Sequence, residues 1–316
     1  MKKIVVTGSL AFDYIMDFPG TYEEHILPEK LKTLSVSFRM QKLNKNFGGV
    51  AGNIAYTLSL LNLSSQIVAS GGAFDFQNYM QHLKTHGINT DTINLVADEF
   101  TANAFIMTDR NNCQITGFYP GALSSDKLLS LNSCKNIDFV ILGPTDTEAM
   151  IRFVKEAKEK NIPYLYNPVQ HIPELTGPKL KDAIQGAEIL IGNDYEIALI
   201  LKKTRLAKKD LLQKAKIVIT TLGERGSLIE TAKEKVTVGI AKSAKIVDPT
   251  GAGDAYIAGF VAGYVRKLSL QTCGQMGAVA AAYAIENYGT QNHKFSTYDF
   301  QKRYQQTFGN MIQWAV

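Results

Sequence analysis

In the segment IVDPTGAGDAYIAGF, residues 246–260, two carboxylates, Asp248 and Asp254, bracket a turn of small residues. Gly251 and Gly253 let successive backbone N–H groups point one way, and the helix-like AYIAGFVAGYVRKL behind them adds the positive end of its dipole. Such a nest holds a phosphate or a developing oxyanion; the same residues would equally serve as a closely packed strand-to-helix turn. Asp254 narrows the chemistry. A carboxylate repels a phosphate already seated in the nest, so its place is beside a transferring group, facing the incoming nucleophile. In the first turn of a helix its ionised form gains about 0.3–1 kcal/mol from the dipole, so it is expected to be deprotonated at neutral pH. With a pKa of about 4 it orients a hydroxyl and takes the proton as the new bond forms. Two familiar phosphate loops are excluded. The chain has no Gly-Lys pair for a Walker loop, and Tyr256 stands where a dinucleotide fingerprint needs its third glycine.

Groups like these need a rigid frame, and the pattern of the chain supplies one. KIVVTGS (3–9), SQIVASGG (65–72), DFVILG (138–143), PYLYNP (163–168), EILIGN (188–193) and KIVITTLG (216–223) read as strands buried on both faces, each ending in a turn residue. Amphipathic segments such as EAMIRFVKEAKEKN (148–161) separate them, and KSAKIV before the glycine turn is strand-like too. Strand and helix in steady alternation predict a parallel sheet covered by helices, with ligands at the carboxyl ends of the strands. Two regions break the rhythm, residues 14–47 and 100–120, the second alternating like two strands about the turn DRNN. Together they predict a small antiparallel lid on a single domain spanning 1–316.

The bulk numbers exclude other classes. An apolar share of 45% suits a globular core, and a net charge of +5 spread along the chain does not point to nucleic acid. The basic run LKKTRLAKKD (201–210) reads as a solvated helix face, and Cys113, Cys134 and Cys273 are too far apart to suggest a metal or redox pair. No apolar run has membrane-spanning length and the amino terminus is too polar for a signal peptide, so a cytoplasmic protein is expected. His82 and His86, four apart, read as a solvated helix face without a third metal ligand.

DPTGAGDAYIAGF resembles the C-terminal signature of the PfkB, or ribokinase-like, carbohydrate and nucleoside kinases. FGGVAGNIAYTLSLL fits the family's GGxxxN, GSLAFDYIMDFPG its opening Gly-Ser-x-x-x-Asp, GNDYEIALIL its Asn-x-x-Glu, and TTLGERGSLI its nucleotide-site turn. Five matches in family order cover nearly the whole chain. The resemblance implies a three-layer α/β/α fold with a mostly parallel sheet and a β lid. It implies an anion hole at Gly251, Ala252 and Gly253, with Asp254 as catalytic base. Asp13, Gly48, Gly49 and Asn53 would meet the substrate, and Glu196 would hold Mg²⁺ through water near ATP. Asn193, Thr221, Gly223, Gly226, Asn287 and Gly289 would line the nucleotide, and Asp248 falls near a monovalent-cation (K⁺) site. Without the family, Asp13 is a cap or turn residue, and Asn193 with Glu196 is an ordinary helix N-terminus. Ala11 stands where ribokinases often carry Asn, Pro249 where the family often has Thr, and Asn167 where relatives often have Asp, a position expected to touch substrate.

The acceptor is the open choice. Phe38, Met40, Phe105, Met107 and Phe118 lie in the suspected lid and could sandwich a purine, or simply pack the lid. The resemblance is strongest toward adenosine or broad nucleoside kinases, with a ribokinase or other sugar kinase as the alternative. A nucleoside-binding regulator without catalysis is the reading from a different class. Relatives also pair as homodimers through their lid sheets, and an exposed edge at 100–120 would invite this.

Overall fold

The computed structural model describes residues 2–111, 113–243 and 245–312. The first half of the chain forms strands β1 (Ile4–Thr7), β2 (Ala11–Asp17), β3 (Lys42–Gly48), β4 (Ser65–Gly72), β5 (Ile93–Val96), β6 (Ala102–Thr108) and β7 (Gln114–Tyr119). The second half adds β8 (Phe139–Leu142), β9 (Tyr164–Tyr166), β10 (Ile189–Asn193), β11 (Ile217–Thr221), β12 (Ser227–Glu230) and β13 (Lys235–Val238). Nine of them form one sheet in the order β13-β12-β11-β10-β9-β8-β1-β4-β5, parallel from β11 to β5 and antiparallel only across β11, β12 and β13. The six runs read as buried strands all fall in it.

Alternation along these strands builds two cores. Ile4, Val6, Ile189, Ile191, Ile217 and Ile219 point to one face, while Val5, Leu190 and Val218 point to the other. The first core packs under helices Val50–Leu60, Ala252–Val265 and Leu270–Ile285, the second under Thr147–Glu159, Gly177–Ile184 and Asp194–Thr204. This is the expected three-layer α/β/α arrangement. The small residues of the 252–265 helix have their reason here. A Cβ at Gly259 would lie 2.5 Å from the Met276 carbonyl, so only glycine lets this helix approach the next one so closely.

The lid is a separate four-stranded sheet, β3-β2-β6-β7, in which β2 and β6 run parallel and both outer pairs antiparallel. Its strands begin at Ala11, earlier than the pattern suggested, so Asp13 stands on the lid. The strand expected at KSAKIV is absent among the described residues. There the chain is held by the Val247 and Asp248 N–H groups, both donating to the Ile285 carbonyl at a helix end. A loop tied at one point gives the glycine turn a fixed height above the sheet without a strand beneath it.

Candidate active site

Gly251 caps the helix Ala252–Val265 in the left-handed conformation, φ 77°, and Asp254 stands in that helix's first turn. The Ala252 N–H donates to Pro249 O at 3.2 Å, whereas the Gly251 and Gly253 N–H groups take no backbone partner among the described residues. A Cβ on Gly253 would meet nothing within 4 Å, so the turn opens to a space a ligand can enter. Of the three amides expected to form a nest, two are free to do so and Ala252 is partly engaged.

Asn53, on the helix Val50–Leu60, donates through Nδ2 to Asp254 Oδ2 at 2.8 Å across 201 residues of sequence. Burial is the main force on Asp254 and the charge of Asp13 adds to it; together they outweigh the Asn53 hydrogen bond and lift its pKa to about 7. This corrects the expectation of an ordinary carboxylate. A helix dipole contributes a fraction of a unit, whereas removing water from a carboxylate contributes several. Asp13 behaves alike: burial and then Asp248 push it up to about 6. Asp13, Asp248 and Asp254 thus crowd one cleft, which favours a proton acceptor active near neutral pH.

The two glycines of GGxxxN have separate jobs. Gly49 turns the chain at φ 83°, and a Cβ there would strike Ser9 O at 2.5 Å and Ala11 N at 2.7 Å, so the turn lies directly on the β1–β2 connection. At Gly48 a Cβ would collide with the Asp13 carboxylate, so glycine makes room for that side chain. Asp248 acts as a brace. Its two oxygens accept from Thr250 N and Gly289 N, each at 2.9 Å, joining the glycine turn to the Tyr288–Gln291 segment. Gly289 in turn packs against Asn46 of β3, and Thr290 Oγ1 donates to Phe47 O at 2.6 Å. Gly289 therefore touches the lid strand and the turn; Asn287 lies two residues away, its Nδ2 donating to Tyr283 O at a helix end.

Strand alternation sorts the lid aromatics. Asp13 pairs with Asn46 and Ala104, and Ala104 with Phe118, so these share the face that looks onto the glycine turn. Phe105 pairs with Tyr14 and stacks on it, 5.1 Å between centroids, on the opposite face. The expected pair of sandwiching rings is thus divided: Phe118 is on the site side and Phe105 on the back of the lid. A shift of one residue along a strand is enough to reverse a side chain, and the sequence pattern did not resolve it. Phe38 packs against Phe18 and Tyr22, inside an aromatic cluster at the lid margin.

The remaining expected positions lie along the carboxyl ends of the same sheet. Asn193 and Glu196 form a reciprocal capping box at the end of β10: Asn193 Oδ1 accepts from Glu196 N, and Glu196 Oε2 accepts from Asn193 N, both at 2.8 Å. One carboxylate oxygen of Glu196 is therefore engaged in the cap, and Oε1 is left for an outer-sphere contact. Thr221 ends β11, and Gly223 and Gly226 turn the chain with φ 59° and 84° into β12. Asn167 is buried beyond β9, its N–H donating to Leu142 O, and is hydrogen-bonded to none of Asp13, Asn53 or Asp254. No group of three or more His, Cys, Asp or Glu that could hold a metal occurs among the described residues.

Sequence reasoning missed Tyr79, Thr290 and Gln291, and misjudged His82. His82 is half-buried: its ring stacks on Phe47 at 4.3 Å, and burial with the neighbouring His86 lowers its pKa to about 4. The i, i+3 spacing of Tyr79 and His82 and the i, i+4 spacing of Tyr79 and Leu83 on the helix Gln77–Thr85 could have hinted at this; nothing local marks Gln291. No helix among the described residues is long and apolar enough to cross a membrane.

Comparison with known proteins bears on the family and the fold. The model of the pfkB family carbohydrate kinases matches residues 1–297. A nucleoside kinase of Methanocaldococcus jannaschii is 31% identical over 93% of both chains. A Burkholderia thailandensis nucleoside kinase solved with inosine superimposes with a TM-score of 0.89 at 30% identity, covering 98% of this chain and 99% of that one. The same kinase in complex with ADP-inosine gives a TM-score of 0.87 at 30% identity over 98% and 97%.

Proposed function

The chain belongs to the pfkB family of carbohydrate kinases, and we propose that it transfers the γ-phosphoryl group of ATP to the 5′-hydroxyl of adenosine or a related nucleoside. The observation that carries the proposal is the meeting of Asp254 and Asn53 at 2.8 Å beside the open Gly251–Gly253 turn. One group there can take a proton and two amides can take negative charge. The nucleoside kinases at 30–31% identity over nearly the full chain support a nucleoside acceptor over a free sugar.

In this reading the ribose hydroxyls bind to Asp13 on β2, and the base lies under the lid against Phe118. The 5′-hydroxyl then points to Asp254, whose pKa of about 7 suits a group that receives a proton as the bond to phosphorus forms. The Gly251 and Gly253 amides, at a helix start, stabilise the charge on the transferring group. ATP lies along the turn from Thr221 to Gly226 and toward Asn193, and Glu196 Oε1 suits a water-mediated hold on Mg²⁺, which neutralises the phosphates. A potassium ion beside Asp248 stays in the reading, since each of its oxygens accepts one backbone N–H and keeps a further lone pair. Lid closure keeps water from competing as acceptor. Pairing of two copies through the lid stays part of the reading, favoured by the exposed apolar back face of Leu43, Phe105 and Ile115.

The test is ADP formation with adenosine, inosine, cytidine, ribose and fructose 6-phosphate, in wild type and Asp254→Asn. The proposal expects nucleosides to be preferred at least tenfold and the variant to bind ATP while losing turnover by about 10³ or more. Preference for ribose would make the protein a sugar kinase; nucleoside binding without ADP formation would make it a regulator.

A further inference from the structure

Behind Asp254 lies a buried chain of polar side chains that the phosphoryl-transfer chemistry does not touch. Tyr79, fully buried, donates its hydroxyl proton to the Gly48 carbonyl at 2.6 Å. Gln291, 4% exposed, donates through Nε2 to the Tyr79 oxygen at 2.6 Å and to Asn53 Oδ1 at 3.0 Å. Asn53 donates through Nδ2 to Asp254. Gln291 Oε1 lies 3.1 Å from His82 Nε2.

The direction of every link follows from its first member. A backbone carbonyl can only accept, so the Tyr79 hydroxyl must point its proton at Gly48, leaving lone pairs for Gln291. Gln291 must then turn its NH₂ to Tyr79, and the second proton of the same NH₂ faces Asn53. Asn53 is left with its carbonyl toward Gln291 and its NH₂ toward Asp254. Neutral His82 completes the set by donating Nε2–H to Gln291 Oε1. We infer that Gln291, oriented by Tyr79, is a positioning residue: it locks the Asn53 carboxamide so that only a donor can face Asp254, holding that carboxyl in its proton-accepting form. With the lock released, Asn53 can rotate and offer its carbonyl, which binds the protonated carboxyl and takes the base out of service. The kinetic consequence rests on Asp254 being the proton acceptor; the orientation itself does not.

The backbone context fits a dedicated part. Gln291 adopts the left-handed region, φ 59°, uncommon for a residue with a side chain, and the neighbouring Thr290 hydroxyl pins the segment to Phe47 O. The charged neighbour of Asp254 in the cleft is Asp13 of the lid, which faces Asp248 in turn. The groups on the Tyr79 side, Tyr79, His82 and the buried His293, are all neutral near pH 7.

The test uses two variants, Tyr79→Phe and Gln291→Met, which keep the buried volume nearly constant. The Asp254 carboxyl is followed by ¹³C NMR titration of Asp-labelled protein, assigned with Asp254→Asn. Loss of the lock should raise the Asp254 pKa by about one unit in Gln291→Met and by less in Tyr79→Phe, the size of a lost hydrogen bond to a charged group. The acidic limb of the kcat profile should move up with it, and kcat at pH 6.5 should fall about tenfold, with ATP affinity within twofold of wild type. If either variant fails to fold, the other decides. An unchanged Asp254 pKa in a folded variant overturns the inference. A wild type that forms no ADP with any acceptor would instead sink the kinase reading, while the titration would still decide the role of Gln291.

Discussion

Replacing Asp254 by Asn keeps the shape of the side chain and its acceptor toward the Asn53 amide while removing its ability to ionise. The folded protein holds this carboxyl at about 7 against 3.8 for the free group, so at intermediate pH it binds a proton that the unfolded chain has released. For a carboxyl raised in this way, folding stability is greatest below the unfolded value. It declines as pH rises, levelling off above the folded value. Three units correspond to about 4 kcal/mol at the plateau, and a side chain partly open to the cleft realises a part of that, about 2–4 kcal/mol. Some of it is the repulsion from Asp13. The Asp254→Asn variant escapes the whole penalty, so the stability gap between it and wild type should widen by about 2 kcal/mol between pH 5 and pH 8. For a chain of this length that is about 3 °C in Tm. Urea unfolding at the two pH values, with reversibility checked, measures the gap. A gap that stays flat within about 0.5 kcal/mol would refute the argument that burial raises this carboxyl.

Two further substitutions probe the frame. Gly251→Ala puts a Cβ on a left-handed residue and 2.7 Å from Thr290 Cγ2, and should cost about 1–3 kcal/mol in denaturant unfolding with turnover down more than tenfold. Phe118→Ala should raise the nucleoside KM about tenfold, whereas Phe105→Ala, on the back of the lid, should leave it unchanged in the same steady-state assay. In wild type, kcat/KM should fall on the acidic side of about pH 7 as Asp254 protonates, and more steeply below about 6 as Asp13 follows; a profile flat to pH 5 would exclude Asp254 as the base.

Much of this protein could be read from the order of its residues. Buried strands have to be apolar on both faces and helices on one, so the six main strands and the three-layer plan stood out in the hydrophobic pattern. The glycine turn was legible because few residues other than glycine tolerate φ near 77° or a backbone lying directly on another, and Asp254 beside it had few other chemical uses. What tertiary structure alone decided is of a different kind. Asp254 is an ordinary aspartate until folding places Asn53, from 201 positions away, and Asp13 around it and strips its water. Phe118 and Phe105 are both aromatic residues in alternating strands, and strand register decides which one faces the site. Gln291 has no local signature at all, because a buried amide acquires direction only from the partners that surround it. The chain carries its backbone preferences residue by residue, whereas desolvation, register and the polarity of a hydrogen-bond chain belong to contacts that form only when distant segments meet.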